Sequence, residues 1–251
     1  MFRVVIPARY ASSRLPGKAL LNMSGKPMIQ WVYERARASQ AHEVLIATDD
    51  LLIVSAAHSF GAETVMTATT HESGTDRIAE VARLRGWADG DIVVNVQGDE
   101  PVIPPALIDQ VASLLKANPS AQIATLATPV TSISELMDPN AVKVVTDAEG
   151  RALYFSRAPI PWERDGAASG LVSQTSFAGA RRHVGIYGYR VSGLLRMASL
   201  KRTALEQHEK LEQLRALENG LEIRVADSVE QPGPDVNTAA DLERVAALLG
   251  R

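Results

Sequence analysis

No cysteine occurs among the 251 residues. That removes disulfide scaffolds, thiolate zinc sites, iron–sulfur clusters and cysteine nucleophiles together, and it suits a reducing cytoplasm. A run of about eighteen apolar residues, the length needed to cross a bilayer, is also missing. The apolar stretch at 1–6 is too short for a cleaved signal peptide, so the expectation is a soluble, cytoplasmic chain with no membrane partner. Charge of neither sign dominates: 26 basic against 29 acidic side chains leave −3. With no net positive field, nucleic acid is not an expected partner, and any anion site has to be local. Aromatic residues are few, at 5%, while 17 Gly and 13 Pro are ordinary usage. Disordered, collagenous and low-complexity readings fall away.

What is present is the alternation of an α/β protein. Apolar, β-branched runs at 2–6, 43–48, 63–66 and 91–96 read as strands, and helical patterns at 27–39, 51–60 and 75–85 separate them. Strands joined through helices imply crossover connections and a mainly parallel, Rossmann-like sheet. A helix at 105–117 and a strand at 122–128 continue the rhythm. The pattern then changes: runs at 141–146 and 151–155 flank a turn containing Gly150, which signals a hairpin and a smaller antiparallel insertion. Residues 164–180 read as a surface loop, 182–190 as a strand, 205–218 as one helix, 222–226 as a strand and 239–249 as a closing helix. The length fits one domain, and no internal repeat is visible.

Ligands of open α/β sheets sit beyond the carboxyl ends of the strands, so the post-strand loops come first. The loop from Pro7 to Lys18 gathers Arg9, Arg14 and Lys18 with two serines and the permissive Gly17, a composition able to wrap a polyphosphate. A solvated basic loop is the competing reading. The loop matches neither G-x-G-x-x-G nor the P-loop, which disfavours both of those nucleotide-binding classes. After the fourth strand, Gln97-Gly98-Asp99-Glu100 sets a carboxylate where it can hold Mg²⁺ against a triphosphate; Asp99 or Glu100 capping the next turn is the alternative. Ser73 or Thr75 can cap the helix that follows the third strand. Arg77 on its first turn opposes the helix dipole and hints at a nearby anion. Farther on, Arg157 and His183 can take a substrate carboxylate, while Tyr187, Glu212 and Gln213 can read sugar hydroxyls. A structural histidine and a solvated helix face explain these residues equally well. Asp235 or Asn237 can lend a metal an oxygen, and Asn237 or Thr238 can cap the last helix.

Together the segments IPARYASSRLPGK (6–18), GKPMIQWV (25–32), HESGTDR (71–77), VNVQGDEP (94–101), ALYFSRAPIPW (152–162), RHVGIYGY (182–189) and LEQLR (211–215) closely resemble the 3-deoxy-manno-octulosonate (Kdo) cytidylyltransferases, the CMP-Kdo synthetases of Gram-negative lipopolysaccharide synthesis. The resemblance spans nearly the whole chain. It implies a nucleotide-diphospho-sugar transferase fold, a homodimer, Mg²⁺ as cofactor, and CTP and a Kdo-like sugar acid as substrates. It further implies that residues 1–130 mainly bind CTP and 131–251 mainly serve the sugar acid and dimerisation. By position, it assigns Arg14, Lys18 and Asp99 to catalysis. Pro7, Ala8, Arg9, Arg14, Lys18, Ser73, Arg77 and Gln97 fall to the nucleotide. Gln97, Arg157, His183, Tyr187, Glu212 and Gln213 fall to the sugar acid. One departure stands out: where the family is expected to read Gly-Val-Asp-Thr, this chain has Asp235-Val236-Asn237-Thr238. The second metal ligand, beside Asp99, is therefore either Asn237 or Asp235. The same departure admits a catalytically weakened nucleotide-sugar binding protein as an alternative, and a related sugar acid is another.

Overall fold

The structure, a computed structural model, describes residues 1–11, 15–166 and 174–250. The chain runs through β1 (Arg3–Ala8), a 3-10 turn (Lys18–Leu20), the short hairpin β2 (Asn22–Met23) and β3 (Lys26–Pro27), α1 (Met28–Arg37), β4 (Glu43–Thr48), α2 (Leu51–Ser59), β5 (Glu63–Met66), α3 (Gly74–Leu84), β6 (Ile92–Asn95) and α4 (Pro105–Ala117). It continues through β7 (Ile123–Pro129), α5 (Ile133–Met137), β8 (Lys143–Thr146), β9 (Ala152–Ser156), β10 (Arg181–Arg190), α6 (Val191–Ser199), α7 (Ala204–Glu209), α8 (Gln213–Glu218), β11 (Ile223–Asp227) and α9 (Ala239–Leu249).

Among the described residues the main sheet has the order β11-β7-β10-β6-β1-β4-β5, with the β8–β9 hairpin attached through β10. β1 runs parallel to both β4 and β6, and β10 runs antiparallel between β6 and β7. An uninterrupted apolar strand needs cover on both faces. In β1, Val4 and Ile6 face one cluster with Ile29, Ile53 and Leu107 from α1, α2 and α4. Val5 faces the other, with Ile78 from α3 and Leu194 from α6. The expected α/β class, mainly parallel with a smaller antiparallel insertion, is borne out.

The chain proceeds outward from β1 to β4 and β5, then returns to place β6 on the other side of β1. The carboxyl ends of β1 and β6 thus flank the point where strand order reverses, the place where such sheets open a crevice. Gly98 tightens it: a Cβ there would lie 2.9 Å from the carbonyl oxygen of Pro7, so only glycine lets the β6 loop lie directly on the β1 loop. A third cluster of Met23, Met28, Val236 and Val245 seats α9 against the β2–β3 hairpin and brings residues 235–238 back to this crevice.

One expectation about elements needs correction, and three features were unforeseen. Residues 205–218 do not form one helix. α7 stops at Glu209, Lys210 takes a left-handed conformation (φ 55°, ψ 44°), and α8 starts at Gln213. α6 was not anticipated, because it follows β10 without an intervening turn signal. Gly193 serves its packing, since a Cβ there would sit 2.6 Å from the Gln122 side chain. The short α5 and the β2–β3 hairpin were also unforeseen. Of the loop expected at 164–180, residues 167–173 lie outside the described residues.

Candidate active site

Each wall of the crevice is an end of a strand or helix fixed by local chemistry. Gly17, in the left-handed region at φ 66°, turns the first loop into its 3-10 turn and delivers Lys18 inward. Its amide donates to the Tyr10 carbonyl at 3.0 Å and closes the base of the loop. Ser73 caps α3, its Oγ accepting from the Asp76 amide at 3.1 Å. Of the two capping candidates there, Ser73 is the one used. At the last helix Thr238 is the cap, with a reciprocal Asp241 contact.

The result is a cleft of about 260 Å³ that brings together most of the residues assigned to the nucleotide. Pro7, Ala8, Arg9 and Lys18 line it from the first loop, and Ser73 and Arg77 from α3. Gln97, Asp99 and Asn237 complete it. Arg14 lies outside the described residues.

At its centre the Lys18 ammonium donates to Asp99 Oδ2 at 2.7 Å and to the Val236 carbonyl at 2.7 Å. The Val236 amide in turn donates to the Asp99 carbonyl at 2.9 Å. Three segments far apart in sequence are tied at one point. The donor set suits a hard cation: a carboxylate and a carbonyl oxygen already converge on a positive group, and Asn237 lines the same cleft. Among the described residues no group of three His, Asp or Glu side chains could hold a metal ion. A cation here would need oxygens from a bound ligand as well, which is the usual habit of Mg²⁺ with phosphates.

Of two carboxyl groups nearby, one was missed in the sequence and the other was read only as a candidate turn cap. Asp49, just past β4, pairs with Arg77 Nη2 at 2.8 Å, and Arg77 Nη1 also donates to Thr67 Oγ1. The anion that Arg77 hinted at is therefore a carboxylate of the chain itself. Its position immediately after a strand was the available signal. Glu100 is the other. Burial, then the charges of Asp99 and Asp235, push its carboxyl up to about 8, and its Oε2 is buried without a hydrogen-bond partner among the described residues. Asp235 does not line the cleft, but its carboxylate accepts from the Asn237 amide.

Apart from Gln97, which lines the cleft, the residues assigned to a sugar acid form a second group outside the lining of that cleft. His183 packs edge-on to Phe155 (5.1 Å between centroids) and beside Tyr187 (5.3 Å), with its Nε2 2.9 Å from Thr125 Oγ1. Burial, then Arg182, pulls its imidazole down to about 3. It is neutral at pH 7 and offers a hydrogen bond rather than a charge. Burial also holds the Tyr187 hydroxyl firmly protonated. The Arg157 guanidinium donates from Nε to the Glu209 carbonyl at 2.7 Å and from Nη1 to the Pro139 carbonyl at 2.8 Å. Gln213 is nearly buried at the start of α8. Glu212 links the two groups: its Oε2 accepts from Thr75 Oγ1 at 3.0 Å, two residues beyond the cleft-lining Ser73. Burial raises its carboxyl, partly offset by Thr75 and Arg215.

A sheet-reversal crevice lined by a cationic turn and an aspartate defines a nucleotidyltransferase of the α/β class. The fold agrees with solved structures. One is CMP:2-keto-3-deoxy-manno-octonic acid synthetase complexed with CTP, with TM-score 0.89 and 44% identity, covering 99% of this chain and 98% of that one. Another is a cytidylyltransferase from Leptospira borgpetersenii, with TM-score 0.60 and 16% identity, covering 97% of this chain and 84% of that one; it supports the fold alone. The Cytidylyltransferase family model matches residues 3–223. The 3-deoxy-manno-octulosonate cytidylyltransferase of Thioalkalivibrio sulfidiphilus is 54% identical over 248 residues, covering 99% of this chain and 98% of that protein. Its counterpart in Cellvibrio japonicus is 56% identical over 250 residues, with the same coverage. The chain belongs to the cytidylyltransferase family, among the 3-deoxy-manno-octulosonate cytidylyltransferases, as the sequence motifs implied. Among the described residues no helix is long and apolar enough to cross a membrane.

Proposed function

We propose that this chain joins CTP to Kdo, giving CMP-Kdo and pyrophosphate, and so activates the sugar acid for lipopolysaccharide synthesis in the cytoplasm. The observation that carries the reading is the junction of Lys18, Asp99 and Val236, which unites a phosphate-type loop with a cation seat. The anomeric hydroxyl oxygen of Kdo bonds to the α-phosphorus of CTP, the bond to the β-phosphate oxygen breaks, and the hydroxyl proton is released. Negative charge grows on the α-phosphoryl oxygens and on the departing pyrophosphate, and Lys18, with Arg14, neutralises it. Holding both reactants in line supplies much of the remaining acceleration.

Mg²⁺ fits the donors present, and Asp99 would hold it with Asn237 as a neutral partner, since Asn237 lines the cleft and Asp235 stands behind it. When bound, the ion supplies Lewis-acid stabilisation of phosphate oxygens and lowers the pKa of a hydroxyl it touches. Pro7, Ala8, Arg9 and Gln97 frame the nucleotide. Ser73 lies with them at the α3 N-terminus, and Arg77 keeps that wall in place through Asp49. Glu212, Gln213 and Tyr187 receive sugar hydroxyls, and neutral His183 adds a hydrogen bond. Arg157 contributes its positive charge toward the carboxylate while its hydrogen bonds to the Glu209 and Pro139 carbonyls brace the pocket. The working form is a homodimer, with residues 1–130 mainly serving CTP and 131–251 mainly the sugar acid and the dimer.

The test is product analysis after incubation with each nucleoside triphosphate, Mg²⁺ and a panel of sugar acids. CTP with Kdo is expected to release pyrophosphate. Turnover with another acid would reassign the substrate. Binding without turnover would favour the weakened binding protein suggested by Asn237.

A further inference from the structure

The break between α7 and α8 is spanned by the buried Glu206–Arg215 ion pair and is also held from outside those helices. Glu209, the last residue of α7, is fastened to the end of β9 by three hydrogen bonds, and its partner Arg157 is braced by a further one. Ser156 Oγ donates to its Oε1 at 2.6 Å, and the Arg157 amide donates to its Oε2 at 3.0 Å. Arg157 Nε donates to its main-chain carbonyl at 2.7 Å, and Arg157 Nη1 holds the Pro139 carbonyl at 2.8 Å. The residue that follows, Lys210, is one of two non-glycine residues with positive φ among the described residues. A left-handed lysine is disfavoured unless its surroundings impose it. Nothing in the local sequence demands a break there, because 205–218 reads as a continuous helix. Three residues past Glu209, Glu212 meets Thr75 on the far side, at the wall of the nucleotide cleft.

We propose that Glu209 is a positioning residue of this enzyme: clamped between Ser156 and Arg157, it stops α7, forces the Lys210 turn, and so sets Glu212 and Gln213 in register with the cleft to read the hydroxyls of the sugar acid. The inference rests on the reading of Glu212 and Gln213 as sugar-acid contacts. A continuous helix would rotate each following residue by about 100° along a 3.6-residue turn and could not keep both the β9 anchor and the Thr75 contact. Arg157 then has a role its charge alone does not suggest, as one jaw of the clamp. The carboxylate suits the other jaw: burial raises its pKa, but the Ser156 and Arg157 hydrogen bonds outweigh that and keep it ionised.

The experiment measures the KM for Kdo in pyrophosphate release and the Kd for CTP by calorimetry, in Glu209→Ala, Glu209→Gln and the milder Ser156→Ala. Misplacing a contact by a fraction of an ångström to an ångström costs up to about a hundredfold, so Glu209→Ala should raise the KM for Kdo by about tenfold or more. The Kd for CTP should stay within about twofold. Glu209→Gln, able to accept one of the two donors, should recover part of the loss. If Glu209→Ala fails to fold, Ser156→Ala carries the same expectation at smaller size. A folded variant with unchanged KM for Kdo, or a KM that rises in step with the Kd for CTP, overturns the proposal. Glu212→Ala and Gln213→Ala run alongside. Should both leave the KM for Kdo unchanged, the sugar-pocket reading itself falls; should they raise it while the clamp variants do not, only the role of Glu209 falls.

Discussion

The nucleotide cleft and the wall behind it are built on different principles. Around the cleft, each polar side chain is delivered by the end of the strand or helix beside it in sequence: Lys18 after β1, Ser73 before α3, Asp99 after β6. In the wall, Arg157 and Glu209 hold each other across 52 residues, and Glu212 is held by Thr75 across 137. On the proposed reading the cleft side chains serve a ligand, and removing one should injure chemistry more than folding. The wall is a place where side chains face each other, so removing one should be felt first as lost position.

The sharpest version of that contrast is Lys18→Ala. By analogy with a lost oxyanion donor, kcat should fall by about 10²–10³ in a variant that remains folded, a loss larger than any fall in the urea midpoint from the broken Asp99 and Val236 contacts. Retained turnover would remove Lys18 from the chemistry. Arg77→Ala tests the border between the two kinds of residue. Its side chain is 4% exposed, and its removal strands the Asp49 charge, 15% exposed, without its partner. A loss of about 3–5 kcal/mol in urea unfolding is expected. A negligible loss together with weakened CTP affinity would return Arg77 to the ligand-facing group.

A smaller effect concerns Glu100. Its folded-state pKa, pushed up to about 8 from an ordinary 4.5, means the folded protein binds the proton more tightly than the unfolded chain. Stability should therefore decline as pH climbs from about 4.5 through about 8. His183 works oppositely, since its pKa is pulled from 6.5 to about 3 and its share of stability is lost as pH falls below 6.5. Comparing wild type with Glu100→Gln cancels the histidine. The variant should show a flatter profile and gain most at alkaline pH, read by urea unfolding without nucleotide or Mg²⁺. Parallel profiles would show that Glu100 is not desolvated.

The same contrast explains what could be read in the sequence. β1, β4 and β6 are built on apolar runs followed by polar residues, so both the strands and the loops that carry Lys18 and Asp99 were legible. The hairpin of β8 and β9 announced itself through Gly150. The break at Lys210 did not, because its cause sits on β9, more than 50 residues earlier. Arg77 suggested an anion correctly, but the anion is Asp49, brought from 28 residues away by the pairing of β4 and β5 with the α3 wall. Glu100 was visible in the motif and passed over as a turn residue, since burial is not written in a Gly-Asp-Glu string.

Crystals grown with CTP and Mn²⁺ would examine the Lys18–Asp99 junction directly through the anomalous signal of the metal. Convergence of these segments on one nucleotide requires Mn²⁺ bound between the Asp99 carboxylate and the triphosphate, with the Lys18 ammonium turned onto a phosphate oxygen. Manganese and nucleotide found together elsewhere, with Lys18 still closed on Asp99 and Val236, would contradict it.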